Sequence, residues 1–392
     1  MTLPVVHPFL MSLLRGATVQ SLPPSPSGDQ AWGQTLSEAS AQGIVPFLHR
    51  WLQRADLHDK PPASIAEQIT AGAAQIAAHN LWLAHDLVTI LRAFADKGVP
   101  CIPMRGLALA EQLYGNIAIR PMGDIDLLVR REDVPLVAKI LGALGFRAFE
   151  HRPGFAEAFS YTLVFLKDRH GWVIVEPHWT IAYPPFADRV DMEGVWKRCR
   201  KGKTLGMETW RLSREDLLLH LCLHLSHYGP QAPLLWFYEL DRLLRQDDGA
   251  LDWDQFMRVA RQSGQALMLA ESLGKVTGLF ASPVPDQVFS ELTAPFARQP
   301  HRSTHGSVPG LIERSLAGAS QAKAREELAL FFTLKGVRTK WRYVAGLLFP
   351  SPEFMMIRYG LSSRAQLPLS YLHRIGYVSW EGFKGMVRLF RK

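Results

Sequence analysis

The sequence predicts an α+β protein: a small mixed β-sheet core flanked by N-terminal helices and by a helical C-terminal region. Three observations carry this. Apolar residues recur at three- and four-residue steps from 64 to 97, as one buried face of a long helix requires. Short apolar runs at 99–104, 124–129, 161–166 and 172–175 alternate with helical stretches, as the strands of a buried sheet do. After about residue 212 the strand pattern stops and helical periodicity takes over.

Taken in order, residues 1–22 have room for a short helix, and PPSPSG at 23–28 is a loop. The long helix from Ser64 to Lys97 buries Ile65, Ile69, Ile76, Leu81, Leu83, Leu87, Ile90 and Leu91, and Gly98 ends it. A strand over 99–104 leads to a helix over 107–114. DIDLLV at 124–129 is a buried strand, and a helix over 132–144 stops at Gly145. Strands follow at 146–149, 161–166 and 172–175, with DRHG at 168–171 as the tight turn between the last two. Ser213 is the expected N-cap of a helix over 214–228, with Asp216 three residues on. Further helices are expected over 234–245 and 253–274. Residues 281–310 read as a connector, and prolines at 350, 352 and 368 break the last helical section.

The chain has 392 residues, 47% of them apolar and 20% charged, so it can bury a full core without disulfides or metal. Wholesale disorder, collagen, coiled coil and a small disulfide scaffold are excluded. No apolar run reaches the ~18 residues of a membrane span. The N-terminus has no basic lead and no clear cleavage site, so no secretory leader is expected. Three scattered cysteines indicate reduced thiols in a cytosol, with no zinc framework. Net charge is +8, yet residues 333–392 alone hold 11 Lys and Arg against 2 Glu. The basic character therefore belongs to the tail. Its interleaved aromatics suit an anionic membrane or nucleic acid, and a solvated helical face is the alternative.

The chemistry concentrates in MRGLALAEQLYGNIAIRPMGDIDLLV at 104–129. Arg105 and Gly106 stand where a strand meets a helix, so backbone amides at the helix start can bind phosphate oxygens. Arg120 to Gly123 form a turn into the next strand. Asp124 and Asp126, two apart on that strand, point to one face. Carboxylates held side by side repel, and a hard divalent cation, Mg²⁺ first, relieves them. Asp-x-Asp alone is a weak signal, but the apolar run behind it makes unpaired acids costly here. Glu176, at the end of the 172–175 strand, can add a third carboxylate. Such acids beside an anion-binding turn are the equipment of phosphoryl or nucleotidyl transfer.

These residues resemble the uncharacterised nucleotidyltransferase family of bacteria, a branch of the DNA polymerase beta-like nucleotidyltransferase superfamily. The motifs are Arg105–Gly106, Tyr114–Gly115, the block from Arg120 to Val129, and Glu176–Pro177–His178–Trp179, with a looser likeness over most of 70–280. The family's lysine is Arg105 here, and its later acid is Glu176. The resemblance implies catalytic, metal-binding roles for Asp124, Asp126 and Glu176 with Mg²⁺ or Mn²⁺. Arg105, Gly106, Arg120 and Gly123 are expected to bind the nucleotide. The substrate would be an NTP and the product a nucleoside monophosphate on an acceptor hydroxyl that no motif identifies, with release of pyrophosphate. A cytoplasmic protein, peripheral to the inner membrane through its tail, is the expected setting. The alternative is a decayed nucleotide-binding or scaffold protein docked by that tail.

His220, His224 and His227 share one helix face. A partly buried helix with locally bonded histidines is preferred over a metal site, and His220 and His224 remain candidates for a wall of the substrate cleft. Asp241 is read as a salt-bridge partner, with the cleft as its second reading. His178 either orients an acid or substrate, or packs beneath Trp179. The expected organisation is an N-terminal helical region over 1–98 and a catalytic core over 99–212. A helical domain over 213–280, a connector and helix over 281–332, and a basic tail over 333–392 follow.

Overall fold

The structure, a computed structural model, describes residues 7–16, 25–54, 60–168, 172–246, 251–297 and 323–390. Helices α1 (Pro8–Leu14), α2 (Gly28–Ala41), α3 (Val45–Leu52) and the long α4 (Ala63–Asp96) come first. Then follow β1 (Cys101–Pro103), α5 (Gly106–Tyr114), β2 (Asp124–Val129), α6 (Val134–Ala143), β3 (Arg147–Ala148), α7 (Phe155–Phe159), β4 (Phe165–Asp168) and β5 (Trp172–His178). The last three residues of the expected DRHG turn lie outside the described residues, but β4 and β5 pair antiparallel with Asp168 opposite Trp172.

The sheet order is β1-β2-β5-β4-β3. β2 and β5 pair in parallel, and every other neighbouring pair is antiparallel, so the sheet is small and mixed. One face of the sheet and the C-terminal half of α4 share a core with α6, built from residues such as Leu87, Ile90, Phe94, Ile125, Leu127 and Val137. Two residues depart from the expected helix face: Leu81 is 62% exposed, and Asn80 is buried in its place. The Asn80 amide donates to the carbonyls of Ile117 (2.6 Å) and Arg120 (2.8 Å), which ties α4 to the turn before β2.

A helix α8 (Met192–Arg198) and a hairpin of β6 (Arg200–Thr204) and β7 (Met207–Arg211) precede the helical section. The hairpin turns on Leu205 and Gly206, both at positive φ, which suits a two-residue connection. Next come α9 (Arg214–Tyr228), α10 (Leu234–Leu244), α11 (Trp253–Ser263), α12 (Ala266–Phe280) and α13 (Asp286–Ala297). Ser213 caps α9 as expected, its Oγ accepting from the Asp216 amide at 3.1 Å. The single helix expected over 253–274 is two, because Gly264 takes φ +65° and breaks it. The stretch read as a connector contains α13, and residues 298–310 of it lie outside the described residues. Helices α1–α3 and α9–α12 bury one continuous apolar cluster, including Phe9, Trp51, Leu218, Leu240 and Leu273.

The last elements are α14 (Lys323–Thr333), α15 (Val337–Leu348), α16 (Pro352–Tyr359) and α17 (Leu367–Phe390). Pro352 begins α16 and Pro368 lies in the first turn of α17, positions where a missing N–H costs nothing. Tyr343 and Leu347 of α15 pack on Phe159 of α7, and Phe354 stacks on Phe149. Part of the tail's aromatic content is therefore core, and it is shared with the region beside the sheet.

Candidate active site

β2 and β5 bring the acids together. Their parallel register sets Asp126 opposite Glu176 and Asp124 opposite Ile174. Asp124 and Asp126 share a sheet face because they are two apart. Asp126 is buried, while Asp124 and Glu176 are partly exposed. Among the described residues, one ligating atom each from Asp126, Glu176 and His178 falls within 4.8 Å of the others. His178 thus joins the acids, as the neighbour two residues along β5 from Glu176.

Arg105 turns inward. Its Nη2 is 2.6 Å from Asp126 Oδ1 and its Nε 2.9 Å from Oδ2, a two-pronged pair. Its Nη1 donates to the Tyr183 hydroxyl at 3.2 Å and meets the His224 ring. His178 Nε2 lies 3.0 Å from Asp126 Oδ1 and 3.7 Å from Glu176 Oε2. Burial works to raise the Asp126 carboxyl, yet Arg105 and His178 hold it well below the usual carboxylate range. His178 itself is pushed down by burial, so the ring is neutral and Nε2–H donates to Asp126.

The other two acids lack such a partner. Repulsion from Asp126, then burial, raises Asp124 to about 6. Burial, then Asp126 and Asp124, raises Glu176 to about 8. Among the described residues neither forms an ion pair with an Arg or Lys. Asp126, Glu176 and His178 offer ligand atoms that could hold a metal ion, while Asp124 lies on the same sheet face outside that group.

The remaining candidates separate into two groups. Gly106 takes φ +54° at the start of α5, a conformation that glycine adopts without strain. No side chain caps that helix, and of its first amides Ala108 N–H donates to the Arg105 carbonyl at 3.1 Å. Gly123 immediately precedes Asp124, and a Cβ there would meet no atom within 4 Å. The Arg120 side chain, by contrast, is buried and paired with Glu239 of α10, Nε to Oε1 at 2.6 Å. Asp241 takes the structural role, bonded by Arg245 (2.8 Å) and by Ser282 Oγ (2.6 Å).

The histidine face of α9 borders the acids through Tyr183. His227 stacks on Tyr183 with ring centroids 4.2 Å apart, and His224 Nδ1 lies 2.8 Å from the Tyr183 hydroxyl. His220 bonds through Nδ1 to the Ile181 carbonyl at 2.9 Å. Burial, then Arg105, lowers His220 to about 3 and His224 well below its ordinary value. Both are neutral packed rings beside the cleft. Sequence reasoning misses Tyr183 and Glu239. Tyr183 lies in an irregular segment with no motif, and Glu239 is marked only by being an acid inside an apolar helix.

No curated protein matches the chain. It is similar to one solved structure, the solution structure of antibiotic-resistance factor ANT(2'')-Ia, at 18% identity and a TM-score of 0.29, covering 57% of this chain and 100% of that one. Residues 28–281, which span the sheet, the acids and the histidine helix, match the uncharacterised nucleotidyltransferase family, and the chain belongs to that family.

Proposed function

We propose that this protein moves a nucleoside monophosphate from an NTP to an acceptor hydroxyl and releases pyrophosphate. The observation that supports the reading is the parallel β2–β5 register, which sets Asp126 opposite Glu176, with Asp124 two residues earlier on the same face of β2. A divalent cation held by these acids, with His178 beside them, supplies charge neutralisation at the triphosphate. Asp126 is kept ionised by Arg105 and oriented by His178. Burial and the neighbouring acids push Glu176 up to about 8, so it is largely protonated until a cation draws it to the carboxylate; in that form it would take the acceptor's proton at the solvent edge. The uncapped start of α5 at Gly106 receives phosphate oxygens through backbone amides. Arg105 itself contributes through Asp126 rather than as a phosphate clamp. The attacking acceptor oxygen forms a bond to the α-phosphorus as the bond to the bridging oxygen of pyrophosphate breaks.

One observation favours a second reading, nucleotide binding without turnover: both oxygens of Asp126 are already engaged by Arg105 and His178. The experiment that separates the two is incubation with each α-labelled NTP, Mg²⁺ and cell extract. A labelled product with pyrophosphate release supports transfer. Nucleotide retention with neither supports the second reading.

A further inference from the structure

The basic tail carries two opposed faces on its longest helix. On the inner face of α17, the Tyr371 hydroxyl donates to the Pro350 carbonyl and Arg374 Nε to the Leu347 carbonyl, each at 2.6 Å, and Val378 packs on the Tyr343–Leu347 cluster. The outer face is apolar where a solvated helix would be polar. Leu369 is 75% exposed, Leu372 67%, Trp380 59% and Phe383 57%. Steps of three, eight and three residues place all four on one stripe of a 3.6-residue helix. α15 repeats the pattern over one turn: Val337 and Trp341 are exposed, with Arg338 and Arg342 one residue after each.

We propose that this face, with its flanking cations, seats the protein on the surface of an anionic lipid bilayer. Charge selects the partner. Residues 333–392 hold 11 Lys and Arg against 2 Glu, while the rest of the chain is close to neutral. A surface of that sign is drawn to anionic headgroups and repels a second copy of itself. The apolar chemistry separates lipid from nucleic acid. Leu369, Leu372 and Val337 have no ring to stack on a base, but they gain by entering the acyl boundary. Trp380 and Trp341 suit the headgroup level. Among the described residues no helix is long and apolar enough to cross a membrane, so the helix would lie in the surface plane. The tail packs on Phe149, Phe155 and Phe159 near the sheet, so docking would hold the nucleotide site close to the lipid surface.

The test is sedimentation of the full-length protein with vesicles of phosphatidylcholine alone, or with about a third of the lipid replaced by phosphatidylglycerol, at low and high salt. The proposal expects binding to the anionic vesicles at least about tenfold tighter than to the neutral ones. Leu369→Ser/Leu372→Ser/Trp380→Ser/Phe383→Ser should lose that binding while keeping its circular dichroism and NTP binding. Lys335→Gln/Arg338→Gln/Arg342→Gln, all on exposed positions, is the independent variant if the first does not fold, and it should weaken anionic binding only. No binding to anionic vesicles at low salt overturns the proposal, as does equal binding to neutral ones or undiminished binding by a folded serine variant. Binding of labelled RNA, or a dimer in ultracentrifugation that the serine variant abolishes, with the protein left in the supernatant when the vesicles are pelleted, likewise overturns it.

Discussion

Arg105 and Asp126 form a buried two-pronged ion pair, with both guanidinium contacts within 2.9 Å. The pair joins the start of α5 to β2. It also holds the Asp126 carboxyl well below the usual carboxylate range, while Asp124 and Glu176 are raised above it.

Arg105→Met should leave Asp126 buried without its cation. The expected cost is about 3–5 kcal/mol in the metal-free protein. Arg105→Lys should recover part of that, because it restores charge but not the fork. Urea unfolding at neutral pH checks both, and equal stability of all three proteins would contradict the assignment.

Asp124→Asn and Glu176→Gln should behave in the opposite way. Each removes one member of a repelling cluster, so the metal-free protein should melt at the same temperature or higher. Transfer should fall by at least about 100-fold, near 3 kcal/mol of lost transition-state stabilisation. A calorimetric scan beside a turnover assay measures the two effects. A lower melting temperature with full activity would refute the catalytic roles of these two acids.

Arg120 and Glu239 form a buried pair of their own. Arg120→Met alone should cost about 3–5 kcal/mol, and Arg120→Met/Glu239→Leu should recover most of it. If the double variant also binds NTP as the parent does, Arg120 is an architectural residue. Loss of NTP affinity in a stable double variant would return it to the nucleotide site.

His220 predicts a pH dependence of stability. Its folded value is about 3, against an ordinary 6.5, because burial disfavours the imidazolium. The unfolded chain therefore binds the extra proton first. The neutral ring's contribution is fully present above pH 6.5 and is lost as pH falls toward 3, at about 1.4 kcal/mol per pH unit in that window. His220→Phe should flatten the slope of unfolding free energy between pH 4.5 and 6.5. An unchanged slope would place the acid sensitivity elsewhere.

Gly346 of α15 lies against the Phe155 ring so closely that a Cβ would collide with it. Gly346→Val should loosen the tail from α7 while leaving the β2–β5 site intact. Limited proteolysis should then release the segment from about residue 337 while NTP binding persists. Resistance equal to the parent's would show that the tail does not depend on this contact.

Where local pattern and tertiary demand agree, the sequence was readable. The DIDLLV strand is bounded as its apolar run requires, and Ser213 marks the start of α9. The β6–β7 hairpin was not legible, because RKGKT is a charged strand with no apolar alternation. Leu81 lies on the exposed side of α4 because Asn80 takes the buried position to hold the Arg120 turn. Alternation along β2 and the end of β5 pointed to Asp126 and Glu176, which the strand register sets opposite each other, while His178 in place of Asp124 completes the group that could hold a metal. The inward turn of Arg105 was not legible, since it depends on Tyr183 and His224, which lie 78 and 119 residues away in sequence. The same holds for Arg120, whose partner Glu239 is 119 residues away.

The pairing of Asp126 with Glu176 joins residues on parallel strands about fifty positions apart, with two helices and two other strands between them. Such a pairing closes late, after the intervening chain has paid its loop entropy. A slip of one residue in β5 would send Glu176 to the opposite side of the sheet and bring Val175 in its place. A collapsed chain with the right helices and the wrong strand alignment would thus resemble the native protein by circular dichroism and be unable to gather its acids. Recovery of metal or nucleotide affinity during refolding would therefore time the alignment of two strands, a step that helix signals pass over in silence.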